Sequence, residues 1–592
     1  MPVFNFTYDS PYFLGDVVDV DTRNVTINAK LEKLRNAHVG SLVAIKAAGT
    51  PPEWLISIVT RVIKTSISDA VISQEESKKN KAIEQTGDNT GWETQPLMTE
   101  INSVKVLLIG TYREKEGVEK KYFTRSILTV PDIESECYTL EGKELEKFMN
   151  IVSEKSKGEH TLDIGHYTLD PEAKAKAYLE GNKLFQRHAA LLGSTGSGKS
   201  WAVAKILEKA AQLPTSNIIV FDLHGEYKTL DYAKQLRIAG PDDLDGGDRS
   251  VLFLPYWLLN ADELQTMFVD RSEFTAHNQA LVFYEAVIKA KKDVLTKEGK
   301  TQVLKSFTID SPVPFSLESV LKNIQFYDEQ MVQGDRGLKQ GKFFGQFSRL
   351  LVRLESKISD KRYGFLFQAP PAYHRYNSMH QLAENLMGFK GEKKQIKIID
   401  FSEVPADILP VIVGLAARLI YQVQFWMDAD KRQPIAFICD EAHQYLPKRS
   451  ETNSIERRAL ENFEKIAKEG RKYGVGLFVV SQRPSEVSDT ILSQCNNFIV
   501  LRLTNAEDQA IVKKLLPESL ETFADILPVL EIGEALIVGD SVLLPTKIKI
   551  SEPRCKPSSA TIDFWKEWSA KDKETDIVQA VENMRKQSRR NL

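Results

Sequence analysis

The chain has 592 residues, long enough for roughly three or four compact units, with 42% hydrophobic and 27% charged residues and a net charge of −3. That balance excludes a global basic field, so any contact with nucleic acid must come from a local surface such as a pore lining. Four scattered cysteines (Cys137, Cys439, Cys495, Cys555) form no C-x-x-C pair, which excludes a disulfide framework or a zinc ribbon and suits a reducing cytoplasm. Met1 to Thr7 lacks a basic stretch followed by an apolar one, and the longest apolar runs are broken by Arg, Asp or Pro. The expectation is a cytoplasmic protein with no membrane partner.

Residues 1–135 read as β-rich. Gly15 to Val20 and Asn24 to Asn28 alternate polar and apolar residues across a turn at Asp21-Thr22-Arg23. Ser41 to Ile45, Trp54 to Val62, Val104 to Thr111 and Tyr122 to Thr129 add short strands, and such a set closing on itself predicts a small barrel. Within it, Ser73 to Pro96 is polar and charged, including Glu75-Glu76-Ser77-Lys78-Lys79-Asn80-Lys81. It is either a solvated hairpin tip or a partner-binding finger. Thr139 to Lys157 has helical spacing, and a helical connector is expected over 136–180.

The short apolar run His188-Ala189-Ala190-Leu191-Leu192 ends in Gly193-Ser194-Thr195-Gly196-Ser197-Gly198-Lys199-Ser200, with a helix opening at Lys199. The pattern G-x-x-x-x-G-K-[ST] in a strand-turn-helix setting is a phosphate-binding loop. Its glycines let successive N–H groups curl round phosphate oxygens, and the helix adds the positive end of its dipole. Lys199 is expected to neutralise the β- and γ-phosphates, and the Ser200 hydroxyl to ligate Mg²⁺. This is a site for a nucleoside triphosphate.

An α/β core is expected over 181–259 and 397–550. Trp201 to Gln212 continues the helix and stops before Pro214. Asn217 to Asp222 is a β-branched run leading to Asp222-Leu223-His224-Gly225-Glu226-Tyr227, and the carboxyl ends of parallel strands are where open α/β sheets bind ligands. Asp222 or Glu226 is therefore a candidate for positioning water or magnesium; alternatively the cluster is an Asp/Gly turn that caps the next element.

Residues 260–396 leave this pattern. Phe274 to Asp293, Phe315 to Gln333 and Phe343 to Ile358 read as amphipathic helices of a mainly helical insertion. Its mixture of Lys339, Lys342, Phe343, Phe344, Arg349 and Arg353 suits either nucleic acid or a solvated helical face. The sheet resumes at Lys397 to Phe401.

A second apolar strand, Pro434 to Cys439, delivers the adjacent carboxylates Asp440 and Glu441. Asp440 suits magnesium held through its water shell; Glu441 suits the water-positioning or general-base role that hydrolysis needs. Lys448-Arg449 and Arg457-Arg458 are candidates for gripping DNA phosphates without reading bases. In Lys468-Glu469-Gly470-Arg471-Lys472-Tyr473-Gly474, Arg471 is either an arginine finger serving a neighbouring subunit or part of a basic helix terminus capped at Gly474. A third apolar strand, Val475 to Val480, ends in Ser481-Gln482-Arg483-Pro484. If it lies between the other two strands, Gln482 is placed to sense the γ-phosphate by hydrogen bond. Residues 551–592 leave the core through Pro553 and Pro557 and carry Phe564-Trp565-Lys566-Glu567-Trp568 and a basic end, Arg585 to Arg590. They form a C-terminal arm, lying on a neighbouring subunit or frayed in solvent.

Arg187-His188, Gly193 to Ser200, Asp222 to Tyr227, Cys439 to His443, Glu469 to Gly474 and Ser481 to Pro484 resemble, in order and spacing, the HerA-like branch of the HerA/FtsK superfamily of DNA-pumping ATPases. The resemblance covers about residues 180–550, and the β-rich start is similar to the small barrel preceding the motor in that family. It implies a RecA-like P-loop core, a homohexameric ring with ATP and Mg²⁺ at subunit interfaces, and double-stranded DNA in the pore. It also implies a partner: a nuclease, as in archaeal end resection, or a nuclease or sirtuin-type NAD-consuming effector in bacterial anti-phage defence. It tilts Arg471 towards the finger role and makes Arg187 a second arginine near the nucleotide. Two other classes fit the residues: a ring scaffold whose nucleotide state organises an effector enzyme, and an envelope pump, which the lack of a membrane span disfavours.

Overall fold

The computed structural model describes the chain except residues 1–3, 5, 9, 35–36, 48–52, 69–97, 114–121, 128, 169–174, 246–247, 249, 271, 336, 389–393, 453, 559–563, 570–575 and 588–592. Ser73 to Pro96 and the last three residues of the basic end, Ser588 to Arg590, therefore lie outside the described residues. The chain divides into two units, 1–182 with 499–551, and 183–498 with 552–592.

In the first unit, period-two alternation puts Leu14, Val17, Val25, Ile27, Val43, Ile45, Leu55 and Val106 into one buried core. The strands follow the order Asn24–Ala29, Phe13–Asp21, Glu136–Thr139, Leu42–Ala47, Glu53–Ser68 and Met98–Arg113, each antiparallel to the next. Asn24–Ala29 then pairs with Met98–Arg113, Val25 opposite Val106, which closes the barrel and removes the free edges. The barrel runs past the expected boundary at 135, because Cys137 belongs to its core.

The segment 136–180 is not simply a helical connector. Helix Gly142–Ser156 packs Phe148 against Tyr112 and Phe123. Lys176–Glu180 pairs with Thr161–Tyr167, and that strand pairs with Thr546–Ile550, itself a partner of Glu534–Gly539. These strands find their partner from the far end of the chain, a pairing that local periodicity does not announce. For the same reason residues 499–550, expected in the ATPase core, group with the first unit.

The second unit carries a parallel sheet in the order Val251–Leu252, Lys234–Ile238, Ile396–Asp400, Asn217–Asp222, Ile435–Cys439, Val475–Ser481, Ala189–Leu192. The last four are buried along their whole length, as a sheet covered on both faces requires. Because the strands share one direction, the turns that follow them meet at a single edge, the carboxyl edge. Among the described residues of 260–396 the elements are mainly helices, including Ala276–Lys297, Leu317–Glu329 and Ser348–Ser359, with one hairpin, Met331–Gly334 and Gly337–Gln340. The expected helix to Gln333 stops at Glu329, where the chain enters that hairpin.

Helix Leu409–Trp426 is long and apolar enough to cross a membrane, contrary to the reading that no run reaches that length; 72% of it is buried within the protein, as in a core helix. At its middle, Arg418 donates to Glu263 at 2.7 and 3.2 Å and to Leu258 O at 2.9 Å, with both side chains nearly inaccessible. Glu263 also closes a capping box with Asn260 at the start of Ala261–Phe268. Removing one member of such a pair leaves an uncompensated buried charge. Glu263→Ala is expected to cost about 3–5 kcal/mol, read as a fall in the unfolding midpoint of this unit. A change within about 0.5 kcal/mol, the range of ordinary surface substitutions, would show that the pair is not needed.

Candidate nucleotide-binding and catalytic site

The phosphate loop starts where Ala189–Leu192 leaves the sheet, and Gly193 N–H donates to Ser481 O at 3.2 Å. Gly196 and Gly198 hold left-handed backbone, φ 73° and 104°, which a side chain would strain. Gly198 precedes helix Lys199–Ala210, whose first turn has no side-chain cap, so its N–H groups are left for a ligand in the loop. The Thr195 hydroxyl donates to Gln482 Oε1 at 2.5 Å. Gln482 follows Val475–Ser481, which lies between the Ile435–Cys439 and Ala189–Leu192 strands.

Lys199 is 8% exposed, and its ammonium donates to Ser194 O at 3.3 Å. Burial lowers its pKa, while Glu441, Asp440 and Glu226 act in the opposite sense. Burial, then Glu441, Glu226 and Asp222, push the Asp440 carboxyl well above the usual range. Glu441 sits in left-handed backbone, φ 46°, directly after its strand. Its Oε2 is buried without a hydrogen-bond partner, with His443 Nδ1 3.4 Å away.

The two acids after Asn217–Asp222 have different jobs. Asp222, fully buried, accepts from the N–H groups of His224, Glu226 and Tyr227 at 3.2, 3.1 and 2.9 Å, and so builds the turn. Glu226 accepts from the Ser200 hydroxyl at 2.6 Å and reaches the phosphate loop. Ser200, Glu226, Asp440 and Glu441 thus present hard oxygen ligands with an excess of negative charge and an orphaned carboxylate oxygen. Among the described residues no group of three or more His, Cys, Asp or Glu is placed to cage a metal alone. That suits Mg²⁺, which takes one or two protein ligands and completes its shell with phosphate and water. Ser200, and Asp440 through water, would hold it.

Arg471 and Arg187 are not brought to this site. The exposed Arg471 lies in the turn Gly470–Tyr473, which Gly474 ends at φ 72° just before Val475. Arg187 precedes the strand at its other end, next to His188, which feels the charge of Arg471. Both arginines therefore occupy the amino edge, and Arg187 is separated from its own phosphate loop by about 13 Å of strand. Arg187, expected near a nucleotide, lies at the edge opposite its own phosphate loop, because residues before and after one parallel strand lie at opposite edges. Other basic candidates are engaged with acids. Arg449 holds the buried Glu464, Arg458 pairs with Glu461 at 3.1 Å, and Arg353 pairs with Glu273 at 2.8 Å.

Sequence reading missed two histidines. His443, beside Glu441, was present in the Asp-Glu-Ala-His run; His188 was visible as a polar residue opening an apolar strand. Burial holds both rings below the usual histidine value, with Arg471 adding to the effect at His188.

Three measurements check this geometry. Glu226→Gln, which keeps an acceptor for Ser200 but removes the charge, is expected to raise half-saturating Mg²⁺ several-fold at unchanged unfolding midpoint. Asp222→Ala, by orphaning three N–H groups, is expected to lower that midpoint by the equivalent of about 2–4 kcal/mol. The unfolded chain takes up protons on its histidines near pH 6.5, whereas the buried rings do so only at lower pH. Stability should therefore fall as pH drops below about 6.5, and His188→Gln should flatten that slope.

Residues 162–420 match the family model for the helicase HerA central domain, and residues 411–549 the HerA-like C-terminal domain. The DNA double-strand break repair helicase HerA of Sulfolobus acidocaldarius is 29% identical over 405 residues, 66% of this chain and 70% of that protein. Its counterpart from Pyrococcus furiosus is 26% identical over 434 residues, again 66% of this chain and 70% of that protein. Among solved structures, VirB4 of Thermoanaerobacter pseudethanolicus aligns over 67% of this chain and 98% of that one, with 15% identity and a TM-score of 0.44. The plasmid coupling protein TrwB with ADP and Mg²⁺ aligns over 69% and 94%, with 13% identity and a TM-score of 0.42. With every motif of the site inside the two matched segments, the chain belongs to the HerA helicase family and is a P-loop ATPase.

Proposed function

We propose that this ATPase is an ATP-driven translocase on double-stranded DNA, working as a homohexameric ring with ATP bound at subunit boundaries. Gly193 to Ser200 cradle the phosphates, and Lys199 neutralises charge on the β- and γ-groups. Mg²⁺, when bound at Ser200 and Asp440, withdraws charge from the phosphate oxygens. Glu441 orients the attacking water, Gln482 reads the γ-phosphate, and Glu226 steadies Ser200. Arg471 of a neighbouring subunit, with Arg187 at the same sheet edge, stabilises charge on the transferring phosphoryl group. The observation that carries this reading is the Glu441 Oε2 atom, buried without a hydrogen-bond partner and acting electrostatically on Lys199 at the end of the central strands.

The ring is further inferred to serve a partner nuclease or a sirtuin-like NAD-consuming effector, in DNA end processing or anti-phage defence. The relatives named as double-strand break repair helicases support the end-processing branch. A scaffold whose nucleotide state only organises an effector is the competing reading.

Phosphate release by the full-length protein, with and without long duplex DNA, separates the two. The translocase reading expects stimulation by duplex, loss of nucleotide binding in Lys199→Ala, and retained binding with hydrolysis down at least about a hundredfold in Glu441→Gln. Turnover indifferent to duplex, with assembly dependent on a partner protein, would favour the scaffold.

A further inference from the structure

His188 joins the strand that carries the phosphate loop to the turn that carries Arg471. Its ring is almost wholly buried and both nitrogens are used: Nε2–H donates to Ala467 O at 3.0 Å, and Nδ1 accepts from Leu477 N–H at 2.9 Å. A backbone carbonyl on one side and a backbone N–H on the other fix a single neutral tautomer. Ala467 lies in the last turn of helix Ser454–Glu469, four residues before Arg471. Leu477 lies in Val475–Ser481, whose end meets the phosphate loop through Gln482 and Thr195.

His188 is also held in left-handed backbone, φ 51°, a conformation that a bulky residue keeps only where its surroundings over-determine it. Those surroundings include Asn497, whose side-chain amide donates to His188 O at 3.2 Å, and Asn496, whose N–H donates to Arg187 O at 3.0 Å. A closed circuit results: loop, strand, His188, helix end, and back through Leu477 and Gln482 to the loop.

We propose that His188 is a positioning residue for Arg471, making the placement of the finger offered to the next subunit depend on the phosphate loop of its own. This rests on the reading that Arg471 acts in trans. The ring touches no nucleotide: it sits at the sheet edge opposite the loop, with both nitrogens occupied.

Two substitutions divide its bonds. Asn tolerates positive φ and keeps an acceptor for Leu477 but is too short to reach Ala467; Gln reaches further and keeps a donor for Ala467. In full-length protein with duplex DNA, His188→Asn is expected to lower kcat about tenfold, at nucleotide affinity unchanged within about twofold by titration of a fluorescent ATP analogue. His188→Gln should restore most of that rate. The double variant His188→Asn/Arg471→Ala should be no slower than Arg471→Ala alone.

An additive double variant, or a loss of affinity matching the loss of rate, would overturn the proposal. Full activity in Arg471→Ala would instead sink the trans reading itself. Should His188→Asn not assemble, hydrogen exchange in Arg471→Ala rings decides, because the finger's own contact in trans is gone there. Slower exchange at residues 470–474 on nucleotide binding, in step with 193–200, is expected; exchange at 470–474 indifferent to nucleotide contradicts the coupling.

Discussion

One buried lysine faces more negative charge than it can balance. Burial weakens Lys199's hold on its proton, while Asp440, Glu441 and Glu226 surround it, and the same burial works against ionising Asp440. Left alone, such a cluster is unfavourable, because Asp440 has lost water without gaining a cation of its own. It becomes favourable when a divalent cation and a triphosphate enter together, the cation meeting the acids and the phosphates meeting the lysine and the helix N-terminus. The left-handed backbone of Glu441 fits the same reading, since strain gathers where a ligand must be met.

The direction of the sheet settles what one chain supplies. Four parallel strands bring the phosphate loop, the Asp222 turn, the Asp440–Glu441 pair and Gln482 to one edge. Arg187, His188 and Arg471 gather at the other. A chain arranged this way keeps Arg187 and Arg471 at the edge opposite its own phosphate loop, while Arg483 follows Gln482 at the carboxyl edge and acts on His443. The proposed ring would bring those arginines to a neighbour's nucleotide, and His188 bonds both the helix end before Arg471 and the strand that leads to Gln482.

The phosphate loop and the Asp-Glu strand were legible because each is local: an apolar run of strand length followed by residues whose chemistry has few uses. The closed barrel was legible for the same reason, through alternation and turns. Pairings across hundreds of residues were not, as with Thr161–Tyr167 beside Thr546–Ile550, which ties the connector to the far end of the chain. Nor did the sequence separate Asp222 from Glu226: which acid turns inward to its own backbone depends on the turn's geometry, seen only once Asp222 is found accepting three N–H groups. Arg187 was singled out by the family resemblance alone, and the four residues of Ala189–Leu192 carry it to the edge opposite its own loop.

The central claim, that the acids and the lysine are balanced only by magnesium and triphosphate together, is tested most directly by thermal unfolding of the wild-type protein. Four samples suffice: no addition, Mg²⁺ alone, ATP with a chelator, and ATP with Mg²⁺. The account predicts that Mg²⁺ with ATP raises the unfolding midpoint by more than the sum of the two separate shifts. An equal rise with ATP in the presence of chelator would contradict it.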